Sequence, residues 1–459
     1  MGFEVVLICD HKWRDLPGLA WLKLQIERAH PSWRVALIPK SLLAFYTEAF
    51  LPSVLVIPTS NGAWLRVAEE HRRRGAITVI LPTEGRPSYG KLLEWSVSSH
   101  DGCQADGVLL WSPLMKEVFE RAAAPSALRA AVVGPTRFDF YRQPLRALLP
   151  DRATLAARLG APADRPIVGW PTTFTSAKFY GKNEDWQLED WRRMNLGKVG
   201  MTDDVMRRMI KSEYDDRAAS LACLERCARA LPRVTFCLKP HPYEDFEYHE
   251  ERVAAWRADG LDNIYLVRGL YIWDLLNACS AHVHRACTTG TEAWLLGKPT
   301  VELGFIAGHL PVLEAGADQA GAAQDAERAE DVAGSPDDVV DRLGHYLAGG
   351  AVDPALTDQR RAYADKWFST VDGRATRRAV DRIGEWAGER RPARNAFWRR
   401  RGLRRRLTIR FKEWIGFPFD ESLRRPGPAV RSEFDRIGHW DRTICQRDVR
   451  EWTRRLDGF

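Results

Sequence analysis

Short apolar runs alternate with helix-length amphipathic stretches along most of the chain. "EVVLIC" (4–9), "WRVALI" (33–38), "VLVI" (54–57), "AITVIL" (76–81), "GVLL" (107–110) and "AVVG" (131–134) are brief and rich in aliphatic residues. Runs of this kind suit strands buried on both faces, the situation inside a parallel sheet. Between them, "LAWLKLQIERAH" (19–30) and "AWLRVAEEHRRR" (63–74) have the length and spacing of covering helices. The alternation predicts an α/β class with helices on both faces of the sheet.

The pattern breaks at 142–166, a polar stretch containing proline. It resumes with "PIVGW" (166–170), "VTFCLK" (234–239), "NIYLV" (263–267), "AHVHRA" (281–286) and "PTVEL" (299–303). Two Rossmann-like domains are therefore expected, at 1–149 and 150–390, with an extension at 391–459. Segment 174–215 is too long for an ordinary connection and reads as a functional loop or helical insertion, with Lys178, Trp186 and Trp191 as candidates for acceptor binding. Residues 311–336, rich in Ala, Gly, Asp and Glu, are expected to form a solvated loop.

A chain of 459 residues, 45% apolar, can bury two cores. No stretch reaches the roughly 20 apolar residues that cross a bilayer, and the first residues run straight into a strand, so a cytoplasmic protein is expected. The eight cysteines are scattered, several within apolar runs, as small buried hydrophobes in a reducing compartment would be. Cys223 and Cys227 lie four apart without a second close pair, which argues for packing rather than zinc.

The net charge of +7 is uneven. Residues 391–459 hold 19 Arg/Lys against 9 Asp/Glu, a net of +10 that leaves −3 for residues 1–390. Over 394–419 the arginines interleave with Phe397, Trp398, Phe411, Trp414, Phe417 and Phe419. That mixture suits an anionic membrane surface, and the alternative is a basic helix packed on the body. No nucleic-acid-binding motif accompanies it, and a nucleic-acid partner is not expected.

Three segments follow predicted strands, where ligands collect in open α/β sheets. In "VILPTEGRPSYG" (79–90), Glu84 precedes Gly85 on a proline-flanked turn, either as a solvated turn residue or as a base approached closely across the glycine. In "FCLKPHPYEDFEYHEE" (236–251), prolines 240 and 242 fix His241 at the end of a strand, ready to hydrogen-bond a phosphate, with Lys239 adding charge. In "AHVHRACTTGTEAWLLGKPTVEL" (281–303), Thr288, Thr289 and Gly290 open a helix and Arg285 stands just before it, a pattern that makes an anion site. Glu292 either caps that helix as the partner of Thr289 in a capping box or binds a ribose hydroxyl. His282 and His284 share one face of a strand and are expected to pack rather than bind metal. The phosphate-loop and dinucleotide-binding glycine motifs are both absent, which argues against NTPases and dehydrogenases.

In this order, Glu84-Gly85, His241-Pro242 and Thr288-Thr289 resemble the motifs of GT-B glycosyltransferases of bacterial surface carbohydrate synthesis, above all those using CMP-activated acidic sugars such as sialic acid and Kdo. The resemblance spans about 75–300, and "GPTRFD" (134–139) and "DGRATRRA" (372–379) add further family-like pieces, with Arg137 and Gly85 in supporting roles. Where that family often has a second acidic residue, this chain has Thr83, leaving Glu84 as the base candidate. The resemblance implies two Rossmann-like domains facing a cleft and a nucleotide-sugar donor bound mainly by the second domain. It further implies a glycan or glycolipid acceptor, and displacement without a metal or other cofactor, with inversion expected and retention as the alternative route. Glu84 would take the acceptor's proton, while His241, Lys239, Arg285, Thr288, Thr289 and Gly290 receive the leaving phosphate and Glu292 the ribose. Transferases of CDP-glycerol or CDP-ribitol resemble the chain in fold too, but carry a histidine beside the glycine where this chain has Glu84. A non-catalytic carbohydrate-binding protein is the third alternative.

Overall fold

The structure is a computed structural model, and it describes residues 3–39, 52–59, 62–83, 105–122, 129–193, 201–285, 287–308, 328–389, 403–404, 407–408, 411 and 444–459. Two all-parallel, six-stranded sheets form its framework. The first comprises β1 (Phe3–Cys9), β2 (Trp33–Pro39), β3 (Val54–Ile57), β4 (Ile77–Ile80), β5 (Gly107–Leu110) and β6 (Arg129–Val132), in the order β2-β1-β3-β4-β5-β6. The second comprises β7 (Ile167–Pro171), β8 (Thr235–Lys239), β9 (Ile264–Leu266), β10 (Ala281–His284), β11 (Thr300–Leu303) and β12 (Val332–Ala333), in the order β12-β11-β10-β7-β8-β9. Six helices matter below: α1 (Lys12–Ala29), α2 (Asp203–Ala230), α3 (Phe246–Ala258), α4 (Thr288–Leu295), α5 (Ala375–Glu389) and α6 (Gln446–Leu456).

The α/β class expected from the pattern is the class observed. Every apolar run overlaps a strand; those inside the sheets are buried on both faces, while the edge strand β6 is half-buried. Val5 stands opposite Val35 and Val54, and Leu7 opposite Leu37 and Val56, all buried. In the second sheet one core gathers Trp170, Phe236, Leu238 and Val283 against α2 and α3, and the other gathers Ile167, Cys237 and Leu275 on the opposite face. Cys223 and Cys227 are buried in the first of these cores.

Two expectations need correction. Residues 329–333 are not part of a solvated loop: Ala329, Glu330 and Asp331 are buried, and β12 pairs with β11 at the sheet edge. Charge at a parallel edge disguised this strand; residues 309–327 lie outside the described residues. The second correction concerns the boundary expected at 390. One compact unit contains the described residues up to 148 together with those from 366 onward, and the other contains 149–365. The chain returns because α5 completes the first sheet's cover: the Trp386 ring lies so close to Gly107 that a side chain there would collide with it.

The return is fastened by the two family-like pieces. Asp139, from "GPTRFD", accepts hydrogen bonds from the N–H groups of Ala375 (2.9 Å) and Thr376 (2.8 Å), opening α5 from "DGRATRRA". Arg378 donates through Nε to the Val133 carbonyl at 2.8 Å and pairs with Asp372. Burial raises the Asp139 carboxyl above its ordinary value, against the lowering effect of those hydrogen bonds. These pieces are therefore a structural clasp inside one unit. Helix α6 packs beside α1, with Val449, Trp452 and Leu456 buried and Lys12 Nζ 3.0 Å from Asp448. Among the described residues, no helix is long and apolar enough to cross a membrane.

Candidate functional site

In the second sheet the chain runs from β7 outward to β8 and β9, then crosses to β10 on the other side of β7. The carboxyl ends of β7 and β10 thus flank a topological switch point, where open α/β sheets bind ligands. The loops after β7, β8, β10 and β11 converge there.

The loop after β8 is built around a buried carboxylate. Glu244 Oε1 accepts from the Thr172 hydroxyl (2.7 Å) and from the N–H groups of Phe174 and His241 (both 3.1 Å), and its Oε2 lies 2.8 Å from His249 Nε2. Burial pushes this carboxyl up, but the hydrogen bond and charge of His249 and the Thr172 hydroxyl outweigh it and hold it below the ordinary value. One anion thereby ties the β7 loop, the His241 turn and α3 together.

His241 itself is half-buried, and its Nδ1 accepts the N–H of Tyr243 at 3.2 Å. A ring nitrogen that accepts carries no proton, so the neutral imidazole keeps its proton on Nε2. His241 is thereby preset as a hydrogen-bond donor. Lys239, the last residue of β8, is buried, and its carbonyl accepts from Thr172 N–H at 3.1 Å.

The α4 segment departs from expectation at several points. Cys287 is the N-cap and makes no side-chain cap, so Thr289 and Glu292 do not form a capping box. Thr289 Oγ1 is 3.0 Å from His282 Nε2, the Gly290 N–H closes the first turn on the Cys287 carbonyl, and Thr288 and Thr289 are half-buried. Burial holds His282 well below the ordinary histidine value, so it packs as a neutral ring, stacked on His284. Gly290 is required here because a Cβ would lie 2.2 Å from His284 Nε2. His284 Nε2 in turn stands 3.2 Å from buried Glu330.

Glu292 is only 1% exposed, so its carboxylate faces protein rather than an approaching ribose. Arg285 is likewise committed. Its guanidinium donates to Glu302 Oε1 (2.7 Å) and to the carbonyls of Ile306 (2.9 Å) and Ala307 (3.2 Å), holding the loop after β11. The phosphate role expected of it is replaced by a structural one, because its partners arrive only later in the sequence.

Glu84 and Gly85 lie outside the described residues. Thr83 just before them accepts from Arg14 at 3.1 Å, and the Arg14 fork also grips its neighbour Asp15 in the first turn of α1. Arg137 is buried against Trp111 and Phe138 and lines a small recess with Asp15, Gly18, Thr83 and Trp111. The sequence reading missed "DHKWRD" (10–15), although charged residues directly after the first strand were a usable signal.

Sequence reading also passed over the middle of α2. Glu213 Oε2 accepts from Ser176 N–H at 2.6 Å, and its carboxyl is pushed up to about 7, first by burial and further by Glu244 and Asp216. Asp216 accepts from the N–H groups of Ala307 (2.9 Å) and Gly308 (2.6 Å). Helix α2 therefore pins two of the loops that meet at the switch point.

No protein-family model matches the chain, and no curated protein matches it in sequence. Among solved structures, the wall teichoic acid polymerase TagF, in a structure with CDPG, is similar over 84% of this chain and 89% of its own, at 12% identity and a TM-score of 0.54. A UDP-N-acetylglucosamine 2-epimerase is similar over 86% of this chain and 99% of its own, at 12% identity and a TM-score of 0.47. The likeness to TagF shows a shared GT-B-type, two-domain α/β fold.

Proposed function

We propose that the chain is a glycosyltransferase that uses a nucleotide-activated sugar, with a cytidine nucleotide as the leaving group and a CMP-linked acidic sugar as the donor. The observation that carries the reading is the hydrogen bond from Tyr243 N–H to His241 Nδ1 at the carboxyl edge of the second sheet, which turns Nε2 into the ring's donor. A departing phosphate gathers negative charge, and a donor already oriented stabilises that charge without reorganising. Thr288, Thr289 and the N–H groups that open α4 are the further donors, with Lys239 adding positive charge. Glu84 is the proposed base, with Gly85 giving the acceptor hydroxyl close approach. A glycan or glycolipid is the proposed acceptor, and displacement inverts the anomeric carbon.

A second reading, transfer of a polyol phosphate from a CDP-linked donor, is compatible with the fold shared with TagF and uses the same leaving-group chemistry. Thermal shifts with CMP, CDP, UDP, GDP and their sugar conjugates test both, because a ligand of the native state raises the melting temperature. Cytidine nucleotides are expected to stabilise most. Preference for CMP conjugates supports the first reading, preference for CDP conjugates the second, and preference for uridine or guanosine nucleotides refutes both.

The basic extension supports attachment to an anionic membrane surface. Leu403, Leu407 and Phe411, spaced four apart among arginines, are all exposed. Because α6 buries three large side chains, each worth about 1.5–3 kcal/mol, deleting the whole extension would disturb the fold. Replacing Leu403, Leu407 and Phe411 by serine avoids that problem. The triple variant is expected to lose sedimentation with phosphatidylserine vesicles, and the wild type to lose it in high salt. Equal sedimentation of both proteins would remove the membrane role.

A further inference from the structure

Arg217 lies in the middle of α2 and is only 5% exposed. Its guanidinium carbon sits 3.8 Å from the centre of the Tyr248 ring and 5.7 Å from that of Tyr214. Its Nε is buried without a hydrogen-bond partner, and among the described residues no carboxylate stands within ion-pair distance of it. This is an unusual way to use an arginine. A buried cation costs several kcal/mol unless it is paired, and stacking on tyrosine returns only about 2 kcal/mol.

The surroundings explain what the cation is placed for. Glu213, one turn before it, pins Ser176 of the β7 loop, and Asp216 beside it pins Ala307 and Gly308 of the β11 loop. Tyr248 meets the ring of His249, which bonds the Glu244 carboxylate that also holds the His241 turn. The acidic neighbours of Arg217 are therefore spent on backbone N–H groups, and its own charge is left over among loops that end at the switch point. Tyr180, Trp186, Tyr214 and Tyr243 are exposed nearby, with Lys211 over Tyr180 and Lys178 over Tyr243. Aromatic faces and cations together suit a ring that carries negative charge.

We propose that Arg217, backed by Tyr248, is a subsite for an oxyanion of the donor other than the leaving phosphate at His241. The oxyanion is either the carboxylate of an acidic sugar or the second phosphoryl group of a diphosphate. Both present paired oxygens to a planar fork of N–H donors, which is the geometry arginine binds best. The proposal rests on the nucleotide-sugar reading above and sharpens it by requiring a second negative charge on the donor.

Calorimetric titration of the full chain with CMP, CDP and CMP-sialic acid tests it, in wild type, Arg217→Met and Arg217→Lys. Wild type is expected to bind one of the two larger ligands about 10- to 100-fold more tightly than CMP, the range of a charge-assisted hydrogen bond. Arg217→Met should erase that margin while leaving CMP affinity intact, and Arg217→Lys should keep part of it. A margin on CDP identifies the phosphoryl group, and a margin on CMP-sialic acid identifies the carboxylate. The ligand-free Arg217→Met protein should melt no lower than wild type, because an unpaired buried charge has been removed. A margin that survives in Arg217→Met, the lack of any margin in wild type, or a ligand-free melting temperature well below wild type overturns the subsite. If no cytidine ligand binds wild type, the nucleotide reading falls by itself, and pyrophosphate and free sialic acid then report on Arg217 alone. Stabilisation of wild type but not Arg217→Met by either would uphold the subsite, and stabilisation of neither protein would end it.

Discussion

Glu244→Ala is expected to cost about 3–5 kcal/mol of folding stability, because it strips the acceptor from two N–H groups, one hydroxyl and a buried histidine at once. Set against a net stability of about 5–15 kcal/mol, that is a large fraction. Urea denaturation with an unchanged slope would measure it cleanly. Glu244→Gln keeps an oxygen for the N–H donors but turns an amide or an uncharged oxygen toward His249, so a smaller loss is expected. The proposed transfer activity should fall most in Glu244→Ala, where the His241 turn loses the acceptor that sets it, and less in Glu244→Gln. A loss below about 1 kcal/mol for Glu244→Ala would mean that the prolines alone hold the turn.

Glu84→Gln is expected to lower transfer by about 10²–10⁴-fold, the usual contribution of a general base, while CMP affinity is unchanged. The amide preserves shape and hydrogen bonding but cannot accept the acceptor's proton. His241→Ala should behave differently, weakening nucleotide binding as well as turnover, because the role proposed for its Nε2 is to donate to the phosphate rather than to accept a proton. Steady-state kinetics of the two variants beside CMP titrations separate these roles. Near-normal turnover in Glu84→Gln would move the base elsewhere, and Asp10 and His11 at the end of β1 would be the next residues to replace.

What the sequence revealed of this fold follows from how local each cause is. Strands such as "VLVI" and "GVLL" were readable because burial on both faces leaves no room for polar residues. The His241 turn was readable because two prolines mark it, although the buried Glu244 that organises it looked like any other acidic residue in "YEDFEYHEE". Helix α5 could not be assigned to its sheet, since an amphipathic stripe does not say which core it covers, and its partner Asp139 lies more than 200 residues away. Arg285 misled for the same reason, with Glu302 and two carbonyls hidden in the following strand and loop. Arg217 did leave a trace. Together with Glu213 it falls on the stripe of Ile210, Leu221 and Leu224, where charge has no business unless something needs it.

The clasp between Asp139 and the start of α5, with α6 laid beside α1, also orders events in time. Residues 149–365 are one continuous stretch and can close their sheet as soon as they leave the ribosome. The first sheet emerges earlier, yet it waits for roughly 250 further residues before Trp386 arrives to cover it, on the order of 13–50 s at about 5–20 residues per second. During that interval the older half of the molecule is the unfinished one, a scaffold of buried-type strands dependent on whatever holds nascent apolar surface apart until the chain's end returns to its beginning.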